Sequence, residues 1–323
     1  DNMIASFFRN SQGTVYVNLF VEVIFLIGFL FTLPTMAEEA TVPHQVILTW
    51  QNDPSHTMTI TWRTDAQVEE ASLKYGNSPD ELKNAPEKRI AESSTFEGTS
   101  AWLHTVELTG LKPGSEYGVV IEHDTDPDKF FFRTAPDERG EEIVFVVGGD
   151  SRSNRGARRK VNKLAASTDP DFVLFAGDMV NKGHSEEQWD NWFDDWHELM
   201  ITDEGRRIPI VPAIGNHETY GGSGAPFYYS RFVLPEPEKY YVFDYGPDLS
   251  IVTLDTHTVG VEAQKDWLRQ TLKERRKCPW KLVQYHKPVW STTKGHNEKA
   301  RENWVPIFEK FDVSVVHEAD AHA

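Results

Sequence analysis

Cysteine is almost absent. The single thiol, Cys278, excludes an intrachain disulfide and a zinc site built on a cysteine cluster. Long basic runs are absent too: 33 Lys and Arg stand against 50 Asp and Glu, a formal net charge of −17. Non-specific nucleic-acid binding needs basic groups to neutralise phosphates, so it is not expected here. The same acidic balance repels anionic substrates. Any phosphate site must bring its own positive charge, and bound metal is the obvious source. There is no internal repeat and no low-complexity tract.

Apolar runs long enough for a membrane are scarce. The best is Val23 to Leu33, preceded by Arg9 and followed by Pro34-Thr35-Met36-Ala37 before two glutamates. Residues 1–37 thus have the shape of a secretory signal peptide cleaved after Ala37, implying a secreted or periplasmic protein with no stable span after cleavage. The alternative is an uncleaved membrane anchor, though the run is short for a span of about 20 residues. What is plentiful is core material: 39% apolar residues, with 10 Trp and 19 Phe, enough for two packed domains.

Residues 43–136 read as all β. Val46, Leu48 and Trp50 alternate imperfectly with Gln45, Ile47 and Thr49. Met58, Ile60 and Trp62 alternate with threonines. Ala71, Leu73 and Tyr75, then Val106 and Leu108, then Tyr117, Val119 and Ile121, then Phe130 and Phe132 keep the period of two. The stretch Leu111 to Tyr117 looks like the turn and tyrosine corner of a fibronectin-III sandwich. After a charged linker, Ala135 to Glu142, strands and helices alternate through residues 141–323. Strands are predicted at 143–147, 172–176, 208–214, 240–243, 249–254, 281–284 and 313–316, the first buried on both faces. Helices are predicted at 157–166, 262–274 and 298–310. Trp189, Trp192, Phe193, Trp196 and Leu199 form a helical stripe that reads as core.

Five polar motifs each sit directly after one of these strands, and loops beyond strand carboxyl ends converge on one crevice. They are Gly149-Asp150-Ser151-Arg152, Gly177-Asp178-Met179-Val180-Asn181 and Gly215-Asn216-His217-Glu218. The fourth is His286 with His296 ten residues on, and the fifth is Glu318-Ala319-Asp320-Ala321-His322. Carboxylate, amide and imidazole donors suit Mn, Fe or Zn. A shared carboxylate can bridge two ions, and bound water can then ionise near neutral pH and attack phosphorus while an imidazole protonates the leaving alcohol. His184, His197, His257 and His317 match no motif and read as surface or core residues.

This run of motifs resembles the calcineurin-like metallophosphoesterases, and the added sandwich makes it similar to the purple acid phosphatase branch. The resemblance implies a second domain built as a double β-sheet sandwich flanked by helices. It implies Asp150 and His322 on a first metal, Asp178 bridging, and Asn216 and His286 on a second, with Asp320 in place of an expected imidazole. His217 and His296 would contact phosphate or the leaving group. Arg152 stands where other members have His and is expected to grip phosphate, the alternative being a pair with a surface Glu. Asn181 stands where a purple iron site has Tyr, so no iron–tyrosinate colour is expected. Asp320 favours Mn or Mg over Zn. The chain opens on Asp1 and stops one residue after His322, which reads as a fragment with an incomplete second domain. The expected activity is hydrolysis of phosphate monoesters on small molecules. The alternatives are a phosphodiesterase and a catalytically impaired binding protein.

Overall fold

Period-two stretches rich in β-branched and aromatic residues become strands in the computed structural model, which describes residues 6–9, 15–18, 40–84, 86–96, 99, 101–220 and 224–322. Two units are distinguished, Asp1–Thr35 and Met36–Ala323. Within the first, β1 (Ser6–Arg9) and β2 (Val15–Asn18) form an antiparallel pair. The stretch expected to be a targeting signal, Val23 to Leu33 with Ala37, lies outside the described residues. Among the described residues no helix is long and apolar enough to cross a membrane.

The second unit holds two domains. The N-terminal one is two four-stranded antiparallel sheets. One contains β3 (His44–Thr49), β4 (Met58–Thr64), β7 (Glu92–Thr95) and β8 (Trp102–Leu108) in the order β3-β4-β8-β7. The other contains β5 (Ser72–Gly76), β6 (Glu87–Ile90), β9 (Glu116–Ile121) and β10 (Asp128–Arg133) in the order β10-β9-β5-β6, with a short helix α1 (Pro79–Asn84) after β5. Val46, Ile60 and Trp62 from one sheet share a core with Leu73, Val119 and Phe132 from the other. Tyr117 accepts a hydrogen bond at its hydroxyl from the Lys112 N–H, 2.8 Å away, which closes the corner ahead of β9.

The C-terminal domain is two further sheets with helices. β11 (Phe145–Gly148), β12 (Phe172–Ala176) and β13 (Ile210–Ala213) run parallel. β14 (Tyr241–Tyr245) pairs antiparallel with β15 (Leu249–Thr253), which continues in parallel to β16 (Trp280–Tyr285) and β17 (Val315–Glu318). The helices are α2 (Arg155–Ala166), α3 (Glu186–Leu199), α4 (Pro226–Arg231), α5 (Val261–Glu274) and α6 (Glu298–Lys310). The Gln284 side-chain amide on β16 donates to the Val211 carbonyl on β13, tying the two sheets together. The Trp189–Leu199 stripe is buried on α3 as its spacing implied.

Two expectations need correcting. The first strand of this domain starts at Phe145 rather than Ile143 and is not buried on both faces: Val144 is 39% and Val147 is 50% exposed. The reason is cover rather than pairing: among the described residues no element covers the Val147 side chain, whereas β13, at the other edge of the same sheet, is buried throughout. Conversely, β3 departs from clean alternation because both its faces are covered. Gln45 donates to Asp194 on α3, and the Val46 N–H donates to His197 Nδ1 on the same helix.

That junction of the two domains rests on a buried cation. The Arg231 guanidinium donates to Gln45 Oε1 at 2.7 Å and to the Gln45 carbonyl at 3.2 Å, and lies 4.0 Å above the Phe193 ring. Removing it leaves buried acceptors unpaired and a hole under the aromatic ring. Arg231→Ala is therefore expected to cost about 3 kcal/mol of stability. Urea unfolding followed by tryptophan fluorescence measures it, and an unchanged midpoint contradicts this account of the junction.

Candidate metal centre

Each motif sits at the carboxyl end of its strand: Asp150 after β11, Asp178 after β12, Asn216 and His217 after β13, His286 after β16, Asp320 and His322 after β17. The strands bring them together. Ligand-capable atoms of Asp150, Asp178 and His322 all lie within 4.8 Å of one another, and so do those of Asp178, His286 and Asp320. Asp178 belongs to both trios. His322 Nε2 is 3.0 Å from Asp150 Oδ1, and His286 Nε2 is 3.2 Å from Asp178 Oδ1 and 3.7 Å from Asp320 Oδ1.

The backbone holds these side chains in an uncommon conformation. Asp150, Asp178, Asp320 and His322 have φ of 54°, 58°, 60° and 56°, in the left-handed region that costs a non-glycine residue energy and persists only where the surroundings enforce it. Gly177, at φ 83°, lets the loops close: a Cβ there would meet the Gly215 nitrogen at 2.6 Å and His286 Nδ1 at 3.0 Å. Cross-loop bonds complete the frame. The Asp320 N–H donates to Asp150 Oδ2 at 2.7 Å, and the His217 N–H donates to Asp178 Oδ1 at 3.0 Å.

The imidazoles are oriented from behind. His286 Nδ1 donates to the Ala176 carbonyl at 2.7 Å, so its Nε2 faces the carboxylates. His217 Nδ1 donates to the Asn181 carbonyl at 2.8 Å, and its Nε2 lies 3.8 Å from Asp178 Oδ2. Burial pushes Asp178 up, but the His286 imidazole 3.2 Å away outweighs this and holds the carboxyl below its ordinary value. Burial pushes His286 down, and the same contact with Asp178 outweighs it and raises the imidazole.

Do these residues fit metal ions? Four candidate ligand atoms, Asp150 Oδ1, Asp178 Oδ2, Asn216 Oδ1 and His286 Nε2, are buried without a hydrogen bond among the described residues. Asp150 Oδ1 and Asp178 Oδ2 have charged neighbours, His322 Nε2 at 3.0 Å and Arg152 at 3.4 Å, and a buried polar atom left without a partner costs about 1–3 kcal/mol. Hard oxygen and borderline nitrogen donors, gathered around a shared carboxylate, fit first-row divalent or trivalent cations.

Not every expected residue arrives where the motif pattern put it. The Arg152 guanidinium is not on a surface glutamate. It lies among the carboxylates, 3.4 Å from Asp178 Oδ2 and 3.9 Å from Asp150 Oδ1, in contact with His217 and His322. His296 is exposed, its Nδ1 accepts from the Ser291 N–H, and it belongs to neither trio. Asn181 contributes its backbone carbonyl to His217.

Glu218 was missed as a site residue. It is fully buried and its carboxylate accepts from three backbone N–H groups: Asp178 at 2.9 Å, Gly215 at 2.7 Å and Met179 at 2.7 Å. It thereby fixes the Asp178 loop against the Asn216 loop. A carboxylate directly after Asn216-His217 was the available signal. Glu218→Gln turns one acceptor into a donor facing N–H groups. It is expected to cost about 2 kcal/mol and to lower bound metal, read by thermal melting and elemental analysis. A variant with full metal content contradicts the positioning role.

Comparison with known proteins gives the same outline. Residues 43–134 match the purple acid phosphatase N-terminal domain and residues 145–322 match the calcineurin-like phosphoesterase domain. Purple acid phosphatase 21 of Arabidopsis thaliana is 28% identical over 287 residues, 82% of this chain and 62% of that protein. Phosphoenolpyruvate phosphatase of Allium cepa is 22% identical over 307 residues, 87% of this chain and 62% of that protein. The chain thus spans about three-fifths of the length of these relatives.

Proposed function

The chain belongs to the calcineurin-like phosphoesterase family, in its purple acid phosphatase-like branch, and from that membership we propose that it hydrolyses phosphate monoesters of small molecules at a two-metal site. The observation that carries the reading is the pair of ligand trios sharing Asp178. Asp150 and His322 would hold one ion, His286, Asn216 and Asp320 the other, and Asp178 both. When bound, the ions supply Lewis acidity toward phosphate oxygens and a nucleophile at neutral pH.

The protein's own groups do the rest. Arg152 presents a guanidinium whose fork matches phosphate oxygens. His217, held by the Asn181 carbonyl, keeps its Nε2 at the cluster beside the Arg152 guanidinium, where as an imidazolium it would pass a proton to the departing alcohol. Among the described residues the hydrogen bond to the His296 ring comes from the Ser291 N–H, and we assign proton delivery to His217. The Asp320 carboxylate favours Mn or Mg over Zn at the second position. Both plant relatives are named as phosphatases, which supports a monoester substrate.

We assign residues 43–136 to a fibronectin III-like domain, supported by the Tyr117 corner, and 141–323 to the phosphoesterase domain. Export as a secreted or periplasmic protein rests on the apolar stretch at Val23–Leu33.

Turnover of p-nitrophenyl phosphate and bis-p-nitrophenyl phosphate, with Mn or Fe supplied, tests the reading. Faster monoester turnover is expected. Faster diester turnover reverses the substrate class, and no turnover with any metal favours a binding protein. Asp178→Asn is expected to lose metal from both positions and to lower kcat/KM at least about a hundredfold, or ~2.7 kcal/mol of transition-state stabilisation. Unchanged metal content by elemental analysis refutes the shared carboxylate.

A further inference from the structure

The two-position reading leaves one charged contact unused. After β16 the chain loops through Ser291 to His296 and folds back over the last motif. Ser291 Oγ accepts from the Thr293 N–H at 3.2 Å and the Lys294 N–H at 2.9 Å, and Thr293 Oγ1 donates to the Ala321 carbonyl at 2.6 Å. This places Lys294 Nζ 2.7 Å from Asp320 Oδ1. The same oxygen lies 3.7 Å from His286 Nε2, on the side facing the second trio.

Both partners are held by backbone. The Asp320 N–H is bound to Asp150 Oδ2, and the Lys294 N–H is bound within its loop. The Asp320 side chain is 15% exposed and that of Lys294 is 40% exposed. The anchors fix both backbones, and the 2.7 Å contact sets the ammonium on Asp320. Its effect on a divalent ion has one sign. The ammonium occupies a lone pair the ion would use, and its charge repels the ion at a few ångströms.

We propose that Lys294 is a built-in counter-cation that sets the metal affinity of the position formed by Asp178, His286 and Asp320. It acts through Asp320, so it is a positioning residue. It offsets the extra negative charge that a carboxylate at 320 introduces. The inference rests on the two-position reading, and it separates the two ions: Lys294 acts on the second position and leaves the Asp150–His322 position alone.

Calorimetric titration of the metal-free full chain with Mn²⁺ tests this. The wild type is expected to take up two ions with distinct affinities. Lys294→Met is expected to tighten one of them about tenfold and leave the other within about twofold. Lys294→Arg keeps the charge and is expected to track the wild type. Thermal melting of the metal-free proteins checks that the exposed loop variant folds. Unchanged or weaker Mn²⁺ binding in folded Lys294→Met, or equal tightening of both ions, overturns the proposal. A wild type that binds fewer than two ions removes the two-position reading itself, and the proposal with it.

Discussion

The Asp178 carboxylate is held within 4.8 Å of both the Asp150 and the Asp320 carboxylates, at the tips of three strands. Like charges that close destabilise a fold unless positive charge stands between them. Much of the C-terminal domain can be understood as the means of holding them there. Parallel strands deliver the loops to one crevice, left-handed backbone at all three aspartates turns their side chains inward, and Glu218 locks two of the loops through three N–H bonds. The guanidinium of Arg152 and the ammonium of Lys294 lie on the same carboxylates. Positive charge is brought to this place locally, in a chain whose overall charge is −17.

The ordering of backbone and side chains also separates roles among the histidines. His286 is fully buried, with one ring nitrogen committed to the Ala176 carbonyl, so only the other is free for a ligand. His217 is oriented in the same way by the Asn181 carbonyl but remains partly accessible, which is compatible with the proton delivery proposed for it. Residue 181 thus works through its backbone, and its side-chain identity is free to vary without disturbing the imidazole.

Much of this was legible in the sequence, because strand, turn and polar tip recur five times in order. Phe172–Ala176 and Glu298–Lys310 could be bounded from periodicity alone, and the Trp189–Leu199 stripe could be assigned to the core. The trios too could be anticipated, since residues just beyond parallel strands must share one edge of the sheet. What could not be read were properties of neighbours. The exposure of Val147 depends on which elements cover its sheet face, and the double burial of β3 depends on a helix some 150 residues away in sequence. His296, expected at the site from its spacing, is exposed on a loop whose course spacing alone does not fix. The same loop brought Lys294 to Asp320, a contact with no local signature at all.

The central claim is that two cations sit side by side across the Asp178 carboxylate. Anomalous diffraction at the manganese edge, from crystals of the full chain grown with Mn²⁺, tests it directly. Two peaks about 3.5–4 Å apart, one beside Asp150 and His322 and one beside His286 and Asp320, are the expected result. A single peak, or peaks remote from Asp178, contradicts it.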